Sequence, residues 1–73
     1  MMYLVNNYNK TYSKFNEDNF NFYHYDENDN ENVIENLKDL EKIIEKYNEN
    51  GYDNFEILED FENKKDYTYE GEF

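Results

Sequence analysis

Apolar and polar positions along the chain follow three regimes. From residue 2 to 25 they alternate: Tyr3 and Val5 are offset from Leu4 and Asn6, and Tyr12 and Phe15 stand among polar neighbours. Phe20-Asn21-Phe22-Tyr23-His24-Tyr25 has a period near two and is rich in aromatics. That period sends successive side chains to opposite faces of a strand, so the region predicts an antiparallel meander of two or three strands. The Asn-rich stretches Asn6–Lys10 and Asn16–Asn19 are predicted turns, because Asn and Asp tolerate left-handed backbone and bond their own main chain.

After a polar break at Asp26–Asn32 the period changes. Val33, Leu37, Leu40, Ile44 and Tyr47, with Ile43 beside them, are spaced alternately by four and three. At 100° per residue they cover a stripe about 120° wide, which predicts an amphipathic helix from about Asn30 to Asn50. Asn28 with Glu31 is a candidate capping box, and Asn50-Gly51 is a stop signal. Glu35–Lys38 and Asp39–Lys42 form opposite-charge pairs three apart, each contributing a few tenths of a kcal/mol, about 0.2–0.5.

The third regime is ambiguous. Over Tyr52–Phe61, a helix would place Phe55, Leu58 and Phe61 on one face, with Asp53 as cap, Glu56 three residues on and Tyr52 stapled to Ile57. Lys64 and Lys65 would then meet the C-terminal dipole. A strand would alternate Phe55, Ile57, Glu59 and Phe61, which puts Glu59 on the apolar side. The capping residues favour a short helix over 54–64. The final Tyr67, Tyr69 and Phe73 alternate with Asp66, Thr68, Glu70 and Glu72, which predicts a strand. The expected fold is one small α+β domain spanning 1–73. In it a short antiparallel sheet packs against one long and one short α-helix, through Val33, Leu37, Leu40, Ile44 and Tyr47.

Charge changes the picture. Nineteen Asp and Glu face seven Lys, there is no Arg, and the net charge is −12 on 73 residues. Asn, Tyr, Phe, Ile and Lys abound while Ala, Pro, Cys, Trp and Gln are absent, as AT-rich coding produces. Such coding favours Lys codons too, so the acid excess runs against it. High charge points to disorder, but nine Tyr and six Phe point to a folded core, since disordered acidic tails are poor in aromatics. A field this negative repels nucleic acid and anionic membrane and attracts basic surfaces.

Most chemistry is excluded by composition. Without Cys there is no disulfide, thiolate nucleophile or Cys-based zinc site, which fits a cytoplasmic protein. The apolar N-terminus, Met1–Val5, is too short for a signal peptide or a membrane span, so the Asn9-Lys10-Thr11 sequon is read as chance. His24 and Ser13 are the only His and Ser, and their spacing suggests no nucleophile with its base, so no enzymatic activity and no cofactor are expected. Asp26–Val33 superficially resembles a calcium loop. However, Glu31 stands where the turn needs Gly, and Leu37 where a bidentate Glu is needed, so no metal is expected. Direct nucleic-acid binding is disfavoured because Glu17, Asp18, Asp26, Glu27, Asp29, Glu31 and Glu35 surround the aromatic strand with no lysine between them.

What remains is the acidic surface itself. Carboxylates two apart on a strand lie roughly 6.5–7 Å apart, near the phosphate spacing of one nucleic-acid strand. Glu70 and Glu72, extended by Asp66, are such a row; Glu31, Glu35 and Asp39, or Glu41, Glu45 and Glu49, would form helical rows. The plainer alternative is a solvated acidic face that serves solubility. Small size, strong acidity, absence of Cys, many Tyr and AT-rich composition resemble phage-encoded nucleic-acid mimics, including anti-CRISPR and anti-restriction proteins. The resemblance covers the whole chain in composition and carries no motif. It implies a stoichiometric inhibitor that occupies the basic nucleic-acid site of a defence nuclease, foremost a CRISPR effector. The expected contacts are Glu17, Asp18, Asp26, Glu27, Asp29 and Glu31, then Glu56, Glu59, Asp60, Glu62, Glu70 and Glu72. Alternatives are an immunity protein for a basic toxin nuclease and an acidic adaptor, with a homodimer left open.

Self-repulsion should weaken the fold at low salt. Raising NaCl from about 0.02 to about 0.5 M is expected to raise the melting temperature by about 4–8 °C, or about 1 kcal/mol at this chain length. Calorimetry in matched buffers checks this.

Overall fold

The computed structural model describes residues 1–73. Strands β1 (Met2–Asn6) and β2 (Thr11–Phe15) form an antiparallel hairpin, with Leu4 opposite Ser13 and Val5 opposite Tyr12. Strands β3 (Phe22–Tyr25) and β4 (Glu31–Ile34) form a second hairpin, followed by helix α1 (Leu37–Glu49), β5 (Phe55–Leu58) and β6 (Thr68–Glu72). The main sheet has the order β5-β1-β2-β6, and β3-β4 is a separate two-stranded sheet. The architecture is α+β, with six strands and one helix. The main sheet is mixed rather than antiparallel, because β6 runs parallel to β2.

That parallel edge follows from the path of the chain. Strand β5 pairs antiparallel with β1 at one edge, and the chain must then cross the sheet to reach the other edge beside β2. The crossing segment brings Phe61 against Tyr3 and Tyr12, at ring separations of 6.2 and 5.2 Å, and edge-on to Tyr67 at 4.8 Å. Phe61 is buried by this, and Val5, pointing to the same face, is fully enclosed.

The opposite face holds the core. Leu4, Phe15, Phe20, Leu40 and Ile44 form its buried centre, with Met2, Phe22, Ile34, Leu37, Phe55, Ile57 and Phe73 packed around it. Phe15 meets Phe20 edge-on at 5.0 Å and stacks on Phe73 at 5.1 Å. Only eight residues are buried, so each large side chain counts; removing Leu40 or Phe15 down to Ala would cost roughly 2–5 kcal/mol.

The long helix is shorter than the periodicity suggests. It starts at Leu37, and residues 31–34 are strand β4 instead. Two causes act. Glu31-Asn32-Val33-Ile34 finds a partner in the aromatic strand, with Ile34 opposite Phe22 and Val33 opposite Tyr23. Asn36 then caps the helix: its side chain accepts the N–H of Asp39 at 2.9 Å and donates to the Asp39 carboxylate at 2.8 Å. The cap is therefore Asn36 with Asp39, not Asn28 with Glu31. Val33 is 46% exposed on the outer face of the hairpin and takes no part in the helix seam, whereas Leu40 and Ile44 do. Glu35 lies before the helix, so the Glu35–Lys38 helical pair does not form. The C-terminal stop is as expected: Gly51 takes φ +79° after Asn50.

Residues 54–64 do not form a short helix. Phe55–Leu58 is strand β5, and the only helical turn nearby is a three-residue 3-10 turn at Lys64–Asp66. The free edge of β1 decides this, since pairing satisfies main-chain groups along Tyr3–Asn6 that a helix over 54–64 would leave without partners. Asn48 then closes the outer edge: it accepts the Phe55 N–H at 2.7 Å and donates to the Phe55 carbonyl at 3.1 Å. The strand ends at Leu58, so Glu59 stays exposed and never reaches the apolar face. Tyr52 is 74% exposed and staples nothing. Asp53, expected as a helix cap, instead accepts a hydrogen bond from Asn6 at 3.0 Å.

Asn6 is the one buried polar residue. Its side-chain oxygen accepts from the N–H groups of Tyr8 (3.1 Å) and Asn54 (3.1 Å), tying the β1–β2 turn to the loop before β5. Asn6→Ala is expected to lower stability by on the order of 2 kcal/mol, because those donors and the Asp53 carboxylate lose their partner. Asn6→Asp keeps the acceptor but faces Asp53 with a second carboxylate, and should also destabilise. Urea unfolding of both variants measures this.

Candidate functional site

All twelve expected contact acids are exposed, but the structure divides them. Glu17 and Asp18 sit in the β2–β3 loop, whose turn is held by the Asp18 N–H donating to the Asn16 side chain at 2.9 Å. Asp26, Glu27 and Asp29 occupy the β3–β4 turn, and Glu31 opens β4 opposite Tyr25. This hairpin packs on the core side of the main sheet through Phe22 and Ile34. Glu56, Glu59, Asp60 and Glu62 belong to β5 and the crossing segment, on the other side. The hairpin acids and the crossing-segment acids therefore lie toward opposite faces of the main sheet.

The strand row expected from Asp66, Glu70 and Glu72 is broken. Tyr12 pairs with Tyr69 but Lys14 pairs with Glu72, so β6 carries one extra residue over this interval. Gly71, at φ +117°, sits in that bulge. Glu72 therefore shares the face of Lys14, while Glu70 turns to the core side. Asp66 ends the 3-10 turn rather than extending the strand. Of the helical rows, Glu31 and Glu35 precede α1, which removes the first. Glu41, Glu45 and Glu49 all lie on α1 and are exposed, spaced about 6 Å apart by the helical rise.

The hairpin turn is rigidly built. Asp26 Oδ1 accepts the N–H groups of Asn30 and Asn28, both at 2.9 Å, and Asp26 Oδ2 accepts the Asn32 amide at 3.3 Å. Asp29 adopts φ +63°, as a tight turn requires. The Asn30 N–H above all, then those of Asn28 and the Asn32 and Asn30 side chains, hold the Asp26 carboxyl below its ordinary value, partly opposed by lost hydration. The oxygens that a calcium loop would direct at an ion are here spent on the chain's own donors. No group of three His, Asp or Glu has metal-binding geometry.

Sequence reasoning missed what the lysines do. Lys64 lies over the Tyr3 ring at 4.8 Å and donates to its hydroxyl at 3.1 Å; Lys10 lies over Tyr67 at 5.1 Å and Lys14 over Tyr69 at 5.7 Å. The Tyr3 hydroxyl raises the Lys64 ammonium above its ordinary value. Cations over ring faces are attracted by the ring quadrupole. The sole ion pair joins the N-terminal amine to Glu17, at 3.6 Å. The strand alternation of Tyr3, Tyr12 and Lys14 was a signal for this shared face, but only the register brings Tyr69 and Phe61 to it.

Two clefts open on the surface. One, of about 310 Å³, lies between the β3–β4 turn and the end of α1, where Asp26 and Glu27 are accompanied by Lys46 and His24. The other, of about 270 Å³, lies on the core face of the main sheet and includes Ser13, Phe22, Asp53, Phe55, Glu70 and Phe73. No family model matches the chain, and no curated protein or solved structure matches it significantly.

Because the folded value of Asp26 is depressed, its stabilising contribution is present above the unfolded value of 3.8 and is lost as pH falls through the lower folded value. A carboxyl-detected NMR titration should show Asp26 protonating below the ordinary aspartate value of 3.8. Asp26→Asn should remove this acid-side weakening of the hairpin.

Proposed function

We propose that this protein is a non-enzymatic inhibitor that binds the basic nucleic-acid-binding surface of a defence nuclease, foremost a CRISPR effector, as an acidic mimic of DNA or RNA. The observation that carries the reading is the disposition of charge. Lys10, Lys14 and Lys64 point their ammonium groups at tyrosine rings rather than at carboxylates, and no lysine forms an ion pair. The acids of the hairpin, of the crossing segment and of α1 thus remain exposed, and the net charge of −12 is presented outward. Such a field steers fast association with a basic cleft and suppresses acidic partners. The ordered backbone of the turn bearing Asp26, Glu27 and Asp29 and of the α1 row Glu41, Glu45 and Glu49 sets where these acids emerge, so little backbone ordering is needed on binding.

Affinity capture from cell lysate at about 0.1 M and about 0.5 M salt tests this, because screening removes charge-driven capture. The expected outcome is a nucleic-acid enzyme, retained at low salt and displaced by its own DNA or RNA. A partner indifferent to nucleic acid would overturn the mimic. Because the hairpin and crossing-segment acids lie toward opposite faces of the main sheet, one of the two should dominate the contact. Neutralising Glu27, Asp29 and Glu31 together, or Glu59, Asp60 and Glu62 together, is expected to weaken binding about tenfold or more in one case and only slightly in the other.

A further inference from the structure

The 270 Å³ cleft on the core face of the main sheet has a chemistry of its own. Its volume falls just below the range of drug-sized pockets, about 300–1,000 Å³, so it suits a ligand of few heavy atoms. Phe22, Phe55 and Phe73 contribute three aromatic rings, and Ser13 contributes a hydroxyl. Asp53 and Glu70 are its only charged residues. The larger cleft differs, because Lys46 stands there beside Asp26 and Glu27 and offsets them.

Both acids are positioned by features that local sequence does not require. Asp53 is half-buried, and one of its oxygens is held at 3.0 Å by the amide of buried Asn6, leaving the other for a ligand. Glu70 is set on this face by the pairing of Tyr69 with Tyr12, and the bulge at Gly71 turns Glu72 to the opposite face. Two carboxylates beside aromatic rings, with no cation among them, match an ammonium head on an aliphatic stem. The head gains charge-assisted hydrogen bonds and ring-face attraction, and the stem covers phenyl surface.

We propose that this cleft binds a primary alkylammonium group, carried by a small aliphatic amine or by a lysine side chain of another protein. The site is distinct from the hairpin, crossing-segment and α1 acids that carry the inhibitor reading; of the expected partner contacts only Glu70 lines it.

Amide and aromatic NMR titration of the full chain tests this, using n-butylammonium chloride and, separately, acetyl-Gly-Lys-Gly-amide, with ionic strength held by NaCl. Saturable shifts confined to Ser13, Phe22, Phe55 and Phe73 are expected. Glu70→Gln should raise the dissociation constant by about fivefold or more, while Glu59→Gln on the opposite side stays within about twofold. Ser13→Leu, which fills the cleft floor, should abolish the shifts while spectral dispersion reports an intact fold. Binding of butylammonium alone assigns the site to free amines, and tighter binding of the peptide assigns it to a protein lysine; either supports the proposal. Shifts spread over α1 and the hairpin with equal loss in both Gln variants, or no cleft shift with either probe, would overturn it.

Discussion

Strand β1 is the element on which the rest of the molecule depends. It is hydrogen-bonded along both edges, to β2 and β5, and covered on both faces, by the Leu4 core on one side and by Phe61 and the tyrosines over Val5 on the other. Where the strand ends, Asn6 gathers the main-chain donors of two separate loops and a carboxylate. An apolar residue there would leave those donors without their acceptor, and a charged one would oppose Asp53. A single buried amide, with donor and acceptor on one side chain, meets both demands. Asn48 does the same at the outer edge of the sheet, pairing with Phe55 as a neighbouring strand would. An Asn-rich composition thus supplies side chains that stand in for the main chain at the limits of a small sheet.

With eight residues buried, apolar packing leaves little margin against repulsion among carboxylates. Aromatic contact fills the gap. One cluster, Phe15, Phe20, Phe22 and Phe73, forms the core; a second, Tyr3, Tyr12, Phe61, Tyr67 and Tyr69, forms the opposite face. The second cluster also draws in three lysines. Three of the seven lysines thus sit over rings on this face, while Lys38, Lys42 and Lys46 lie on α1 beside its acids. The chain gains local ring–cation contacts without cancelling the negative field that any basic partner would meet.

The same arrangement limits how acids can act together. Carboxylates emerge toward both sides of the main sheet rather than along one strand row. A bulge of one residue turns Glu72 away from the face of Glu70, which instead lines a cleft that also includes Asp53. Position along the chain is therefore a poor guide to which acids cooperate.

The α+β class, strands within 2–25, the helix through Leu40 and Ile44 and its stop at Gly51 were all legible from local sequence. Each of these rests on local periodicity or on a cap, which nearby residues specify alone. The sequence also determined the acid excess and the exposure of every acid expected to make contact. Only the tertiary structure decided the rest. Val33 continued the helical spacing of Leu37 by coincidence, and pairing with the aromatic strand overrode it. Residues 55–58 fitted both a helical and a strand pattern, the capping residues favoured the helix, and the free edge of β1 imposed the strand instead. The parallel placement of β6, the bulge at Gly71, the lysines over tyrosines and the company kept by Asp53 and Glu70 all arise from contacts between residues far apart in the chain. Period and propensity act over a few residues, while register and crossover path are set by which distant edges remain to be paired.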